Sequence, residues 1–151
     1  MNYNDITGFE DYDTGQMVRF HRLQYTEYSG NWEASGLHDR VLLIQKIRPL
    51  LTDDKIQKIE LKEIAWRDKH HFPYRSGDHC PCCDGIRYIN CDVSYPGIIA
   101  YNAPNPYDNK YRMIDGRHRI MKLLFNKEKY GSFYVFNFEE LIPLIEEDHY
   151  G

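Results

Sequence analysis

The chain has 151 residues, a mass of 18.1 kDa, 42% hydrophobic and 28% charged residues, a net charge of −4 and a pI near 6.0. That length suits one compact domain, and an aromatic share of 15%, with 13 tyrosines, offsets a mean hydropathy of −0.68 and argues against global disorder. The acidic balance excludes a domain-wide basic footprint for nucleic acid, and no window approaches ~18 consecutive apolar residues, so no membrane span is expected.

Residues 1–16 are rich in Asn, Asp, Gly and Tyr and read as a loosely packed lead-in. They hold no apolar stretch of the kind a secretory signal needs, so a cytoplasmic protein is the expectation. Residues 17–28 suggest a strand of ambiguous alternation, with Val18 and Phe20 on one face and Leu23 and Tyr25 on the other. The first 34 residues are read as an N-terminal extension and 35–151 as an α+β domain. Ser35 is the expected N-cap of a helix over 37–48, because Leu37, Val41, Ile44, Ile47 and Leu51 recur at three- and four-residue spacing. Pro49 disfavours helical geometry at Arg48 and ends it. Thr52-Asp53-Asp54 makes a turn.

A strand is expected at 57–61 and a turn or short helix at 62–65. Residues 67–96 read as an inserted loop. Short strands follow at 98–101 and 111–114, separated by the turn-forming NAPNPYDN run at 102–109. A helix over 117–126, a strand over 133–137 and a helix over 139–146 complete the pattern. The fold class is therefore α+β, a small mixed sheet with flanking helices.

The inserted loop holds all four cysteines, Cys80, Cys82, Cys83 and Cys91, with His70, His71 and His79 nearby. Cys80-Pro81-Cys82-Cys83-Asp84-Gly85 has the form of a zinc knuckle, in which two thiolates of a C-x-x-C turn face one metal and glycine permits the turn that follows. Cys80 and Cys83 have that spacing, and Cys91 supplies a third ligand. The fourth is His79, with His70, His71 and Cys82 as alternatives. A structural zinc is the leading expectation, since a loop poor in apolar residues needs a staple. A redox-active C-x-x-C, an open catalytic zinc site and plain reduced thiols are the competing readings.

The segment from Lys110 to Lys129 carries seven basic residues against two acidic ones, a local excess of +5. Within it a strand runs into Asp115-Gly116 and a helix begins at once. A helix N-terminus presents unpaired N–H groups and partial positive charge. Gly116 lets a ligand approach the backbone, and Arg117, His118 and Arg119 add three cationic groups in the first turn. Cations are unfavourable there unless an anion compensates, and the simplest such anion is a phosphate. Asp115 is read as a helix cap, a base or a metal ligand. Against these stands the plain alternative of a solvated cationic helix face.

The order Ile114-Asp115-Gly116-Arg117-His118-Arg119 before an apolar helix resembles the signature box of the ParB/sulfiredoxin superfamily. Ile59 to Ile64 resembles its opening strand, Pro96 to Tyr101 the strand that precedes the box, and Phe133 to Phe136 its closing strand. The resemblance spans roughly residues 56–138 around the cysteine loop. It implies a ParB N-terminal-domain-like fold that binds a nucleotide or phosphate at the box, with Gly116, His118 and Arg119 at the phosphate positions; Arg117 and Arg119 are the guanidinium groups expected to bind phosphate oxygens bidentately. Branches of the superfamily are DNA clamps, nucleases, a peroxiredoxin reductase and a serine kinase. Arg117 stands where the reductase branch has its cysteine, so reductase activity is not expected. The DNA-reading unit of the clamps has no counterpart in these residues, and DNA binding by the basic segment is a weak expectation. A kinase would need a carboxylate base, for which Asp115 and Glu63 are candidates. Phosphoryl transfer or phosphodiester cleavage, with Asp115 and His118 as catalytic residues, is the enzymatic expectation. A non-catalytic, zinc-stapled module that binds a protein partner is the alternative.

Overall fold

The computed structural model describes residues 10–11, 17–26, 31–66, 69, 92–105 and 107–147, with backbone alone up to residue 41. Two sheets form. The first is antiparallel, with strand order β1 (Glu10–Asp11), β2 (Met17–Thr26), β3 (Asn31–Leu43) and β9 (Glu146–Glu147). The second has the order β4 (Ile56–Glu60), β8 (Tyr130–Asn137), β6 (Gly97–Tyr101), β7 (Tyr111–Asp115) and β5 (Ile64–Ala65). In it β4–β8 and β6–β7 are antiparallel, whereas β6–β8 and β5–β7 are parallel. The helices are α1 (Ile44–Ile47), α2 (Arg117–Phe125) and α3 (Phe138–Leu141). The architecture is mixed α+β.

The five-stranded sheet buries both faces, and the period-two alternation of its strands divides the core. On one face Ile98, Ala100, Ile114 and Phe136 pack with Leu42, Ile44, Ile47, Phe138 and Leu141 from β3, α1 and α3. On the other, Ile99, Met113 and Phe133 pack with Ile120 and Met121 of α2, Ile59, Leu61, Ile64 and Trp66. Central β6 reads Gly-Ile-Ile-Ala before Tyr101, buried throughout, as a strand covered on both sides should be.

The helix expected over 37–48 is not formed. Residues 31–43 pair with β2, from Thr26↔Asn31 to Met17↔Leu43, and only Ile44–Ile47 are α-helical. The helical spacing holds from Ile44 onward, where Ile44 and Ile47 are buried, but upstream a partner strand outweighs a local period. Ser35 therefore lies within a strand and not at the start of a helix. A 3-10 turn over Arg48–Leu50 follows at Pro49. β3 also spans residues on both sides of the expected 34/35 boundary.

The last helix is shorter than the expected 139–146. Pro143 has no N–H to donate, so α3 stops at Leu141, a 3-10 turn covers Ile142–Leu144, and the chain leaves as β9. The remaining expected strands and the helix at 117 appear within a few residues of their expected bounds. Residues 67–68, 70–91 and 106 fall outside the described residues, and with them every cysteine and His70, His71 and His79.

Candidate functional site

β7 carries the chain to the box. Its pairing with β6 shifts by one residue, from Ile98↔Asp115 to Ile99↔Met113, so a bulge closes the strand just before the helix. Gly116 then takes the N-cap position of α2 at φ 120° and ψ 23°, a conformation that suits glycine. Asp115, read above as a candidate cap, is thus the residue before the cap, and no side chain caps α2. The helical ladder begins with Ile120 N–H donating to the Gly116 carbonyl at 3.0 Å. The N–H groups of Arg117, His118 and Arg119 therefore have no acceptor within the helix. There is no acidic residue in this first turn.

Gly97, at the start of β6, closes on Gly116. A Cβ on Gly116 would stand 3.1 Å from the Gly97 Cα, 3.6 Å from the Met113 sulfur and 3.9 Å from Arg119 Nη1. A Cβ on Gly97 would stand 2.9 Å from the Asp115 carbonyl oxygen. Bare backbone from two strands and the Arg119 guanidinium thus meet at one point. Arg119 is half-buried, and its Nε is sealed from solvent with no hydrogen-bond partner. His118 and Asp115 are also half-buried, while Arg117 is only 9% exposed. Arg119 is therefore the more accessible of the two first-turn guanidinium groups.

One nearby group was not foreseen. Asp92 accepts hydrogen bonds from the Ser94 hydroxyl at 2.6 Å and the Ser94 N–H at 2.9 Å. These hold its carboxyl below the usual carboxylate range, and the charges of Arg119 and Lys122 act in the same direction. The returning end of the cysteine loop thus brings a carboxylate toward the cations of α2. Gly97 was also missed as a site residue: Pro96-Gly97 reads as punctuation until its pairing with β7 is known. The signal in the sequence was the Asp-x-Ser turn placed just before a strand.

Other expected members lie elsewhere. Glu63 pairs with Lys110 at 3.1 Å, and its neighbour Ile64 lies opposite Tyr111 in the parallel β5–β7 register. Asp115 is four residues beyond Tyr111 along β7, about 13 Å at the rise of a strand, so Glu63 does not join the box. The basic segment is likewise divided: Arg112 is fully buried and donates to the Pro104 carbonyl at 2.8 Å, and Lys129 lies 3.5 Å from Glu60. The proposed zinc ligands Cys80, Cys83, Cys91 and His79 lie outside the described residues. Among the described residues no group of three or more His, Cys, Asp or Glu is placed to hold a metal. No helix among them is long and apolar enough to cross a membrane.

Comparison of the chain with protein-family models, with curated proteins and with solved structures finds no match.

Proposed function

We propose that the chain binds a phosphate-bearing ligand, a nucleotide or a related small molecule, at the N-terminus of α2. The observation that supports this reading is the Gly97–Gly116 contact. The two buried glycines let the start of β6 close on the helix cap, beside a first turn that has cationic side chains, no acidic one and no side-chain cap. Anions are favoured there by the helix dipole and by Arg119, whose planar fork matches two phosphate oxygens. On this reading Gly116 and Arg119 bind the phosphate and Arg117 supports the turn. If the ligand reacts, His118 serves as acid or base and Asp115 as the carboxylate partner, in phosphoryl transfer or phosphodiester cleavage. The ParB/sulfiredoxin-like assignment belongs to the same reading and rests on the order of strand, Asp-Gly and helix.

The test is thermal shift in low salt with pyrophosphate and a panel of nucleotides. A rise in melting temperature is expected in the wild type. It should be lost in Arg119→Ala, partly kept in Arg119→Lys, and weakened at high salt. Affinity should fall by roughly 10- to 150-fold in Arg119→Ala, the scale of a hydrogen bond to a charged group. No shift with any ligand at millimolar concentration would overturn the reading. The non-catalytic, zinc-stapled protein-binding module would then lead. Exposed Tyr101, Phe125 and Tyr130, at 45%, 48% and 42% exposure, favour that alternative.

A further inference from the structure

We propose that β4, an edge of the five-stranded sheet, docks an extended acidic segment of a partner protein, which adds beside it as a further strand. This is a second site, independent of the phosphate reading, since β8 and β6 lie between β4 and the strand that leads to Gly116. Among the described residues no strand lies on the outer side of β4. What that side offers follows from the register. The Leu61 N–H donates to the Lys129 carbonyl at 2.9 Å, which continues the pairing of Glu60 with Tyr130 by one residue. Hydrogen-bonded positions alternate along an antiparallel pair. Gln57, Ile59 and Leu61 therefore face β8, while Ile56, Lys58 and Glu60 turn their backbone groups outward. The Ile56 N–H is taken by the Asp53 carbonyl, and the Glu60 carbonyl opens a 3-10 turn over Leu61–Glu63. The Ile56 carbonyl, both groups of Lys58 and the Glu60 N–H remain. Spaced along one strand, they match four backbone bonds of an incoming extended chain.

The side chains there set the charge of the occupant. Lys58 is exposed, and its Nζ stands 4.9 Å from the centre of the Tyr130 ring, with Lys129 Nζ at 5.6 Å. Lys62 and Lys129 also reach Glu60 Oε1, at 3.4 and 3.5 Å. Three ammonium groups thus share one carboxylate beside a ring that is 42% exposed. A lysine on an edge guards it against indiscriminate pairing, and the same charge admits a chain that brings a carboxylate. A second copy of this chain fits less well: the antiparallel self-pairing that uses all four groups of each copy sets Lys58 against Lys58. The exposed Asp53 and Asp54 precede β4, so the carboxylates of the segment belong at the Lys58–Lys62 end.

The test pans a random-peptide library displayed on phage against the full chain, and the enriched peptide is synthesised with a fluorophore. Enrichment of Asp or Glu at alternate positions is expected. Methylating one alternate set of its backbone amides should abolish binding and methylating the other should not, since a strand pairs along one side. Glu60 has a φ of −72°, which proline adopts, and its N–H does not face β8, so Glu60→Pro removes an outward donor without breaking the sheet. Affinity should fall by roughly 2- to 12-fold in Glu60→Pro, the worth of one backbone hydrogen bond, and should not fall in Glu60→Gln, which keeps the N–H. Lys58→Gln should weaken binding by up to about 5-fold, and high salt should weaken binding to the wild type. An unchanged melting temperature shows that each variant is folded, and the methylated peptides probe the same contact on the unaltered protein. No enriched peptide, an enriched peptide without acidic residues, or equal binding by the two methylated forms overturns the proposal. A wild-type dimer in sedimentation that Glu60→Pro dissociates would assign the edge to a second copy and overturn it as well.

Discussion

Three glycines show how one residue type carries different physical weight at different places. Gly116 sits at φ 120°, where an L side chain is strained, and a Cβ there would press on the Gly97 backbone at 3.1 Å. Gly131 has no such backbone requirement; its added Cβ would meet the Leu123 methyl at 2.9 Å, the far end of a side chain that can turn away. Gly116→Ala is therefore expected to destabilise the protein by about 1–3 kcal/mol, the scale of a residue held in a sparsely populated conformation. Gly131→Ala should cost less, because only side-chain atoms crowd it: the Leu123 methyl can turn away, and the Phe133 ring at 3.1 Å and a Leu61 methyl at 3.3 Å need give by only a few tenths of an ångström. Urea denaturation of the two variants checks the order of the two losses. A Gly116→Ala protein as stable as the wild type would mean that the cap is not held as described. The sequence shows Gly116 as a turn before a helix, but it cannot show Gly97 as its neighbour, since that contact exists only through the β6–β7 register.

At the scale of elements, the start of the inserted loop is held by Lys69. Its ammonium group donates to the carbonyls of Lys62 and Ile64, both at 2.9 Å, and to Asn109 Oδ1 at 2.7 Å. Burial pushes its pKa below the ordinary lysine value, yet three acceptors match its three protons. Asn105 organises the same turn, accepting from the N–H groups of Tyr107 and Asn109 and donating to two carbonyls. Lys69→Met should cost about 1–3 kcal/mol, because half-buried acceptors lose their donor. A denaturation midpoint equal to that of the wild type would show that water replaces the ammonium group without loss. For the cysteine segment itself, one equivalent of zinc bound by Cys80, Cys83, Cys91 and His79 remains our proposal. Metal analysis of untagged protein should find it, and chelation should lower the melting temperature; absence of metal with four freely titrating thiols would sink it. These elements differ in how legible they are. The strand, Asp-Gly and helix around residue 116 can be read because all its signals are local. The strand Asn31–Leu43 cannot, because it is made by pairing with Met17–Thr26, and a window over residues 37–51 sees only the helical spacing of Leu37, Val41, Ile44, Ile47 and Leu51. Asp92 beside α2 is likewise a product of the chain's return path and not of its neighbours in sequence.

In the whole molecule, the five-stranded sheet separates two cores, and the candidate site belongs to only one. Ile120 packs beneath α2 with Met113, Met121, Ile99 and Phe133, whereas Leu141 packs on the opposite face with Leu42, Ile47 and Phe136. Both side chains are fully buried, so truncation at either should cost about 2–5 kcal/mol, the transfer loss plus the cavity left behind. The consequences for the site should differ. Ile120 lies one turn from Gly116 and its N–H donates the first helical hydrogen bond, to the Gly116 carbonyl, so Ile120→Ala should loosen the helix that carries Arg119. Leu141→Ala should leave that helix seated, because the sheet stands between them. Amide exchange under native conditions reads this directly. Protection in residues 120–125 should fall in Ile120→Ala by more than the global loss of stability predicts, and in Leu141→Ala by no more than that loss. Phosphate-ligand affinity should follow the same division, reduced in the first variant and kept in the second when both are measured well below their melting temperatures. Equal loss of protection across α2 in the two variants would show that the faces open as a single cooperative unit. The site would then draw its rigidity from the whole sheet, and no division of labour between the two cores would hold.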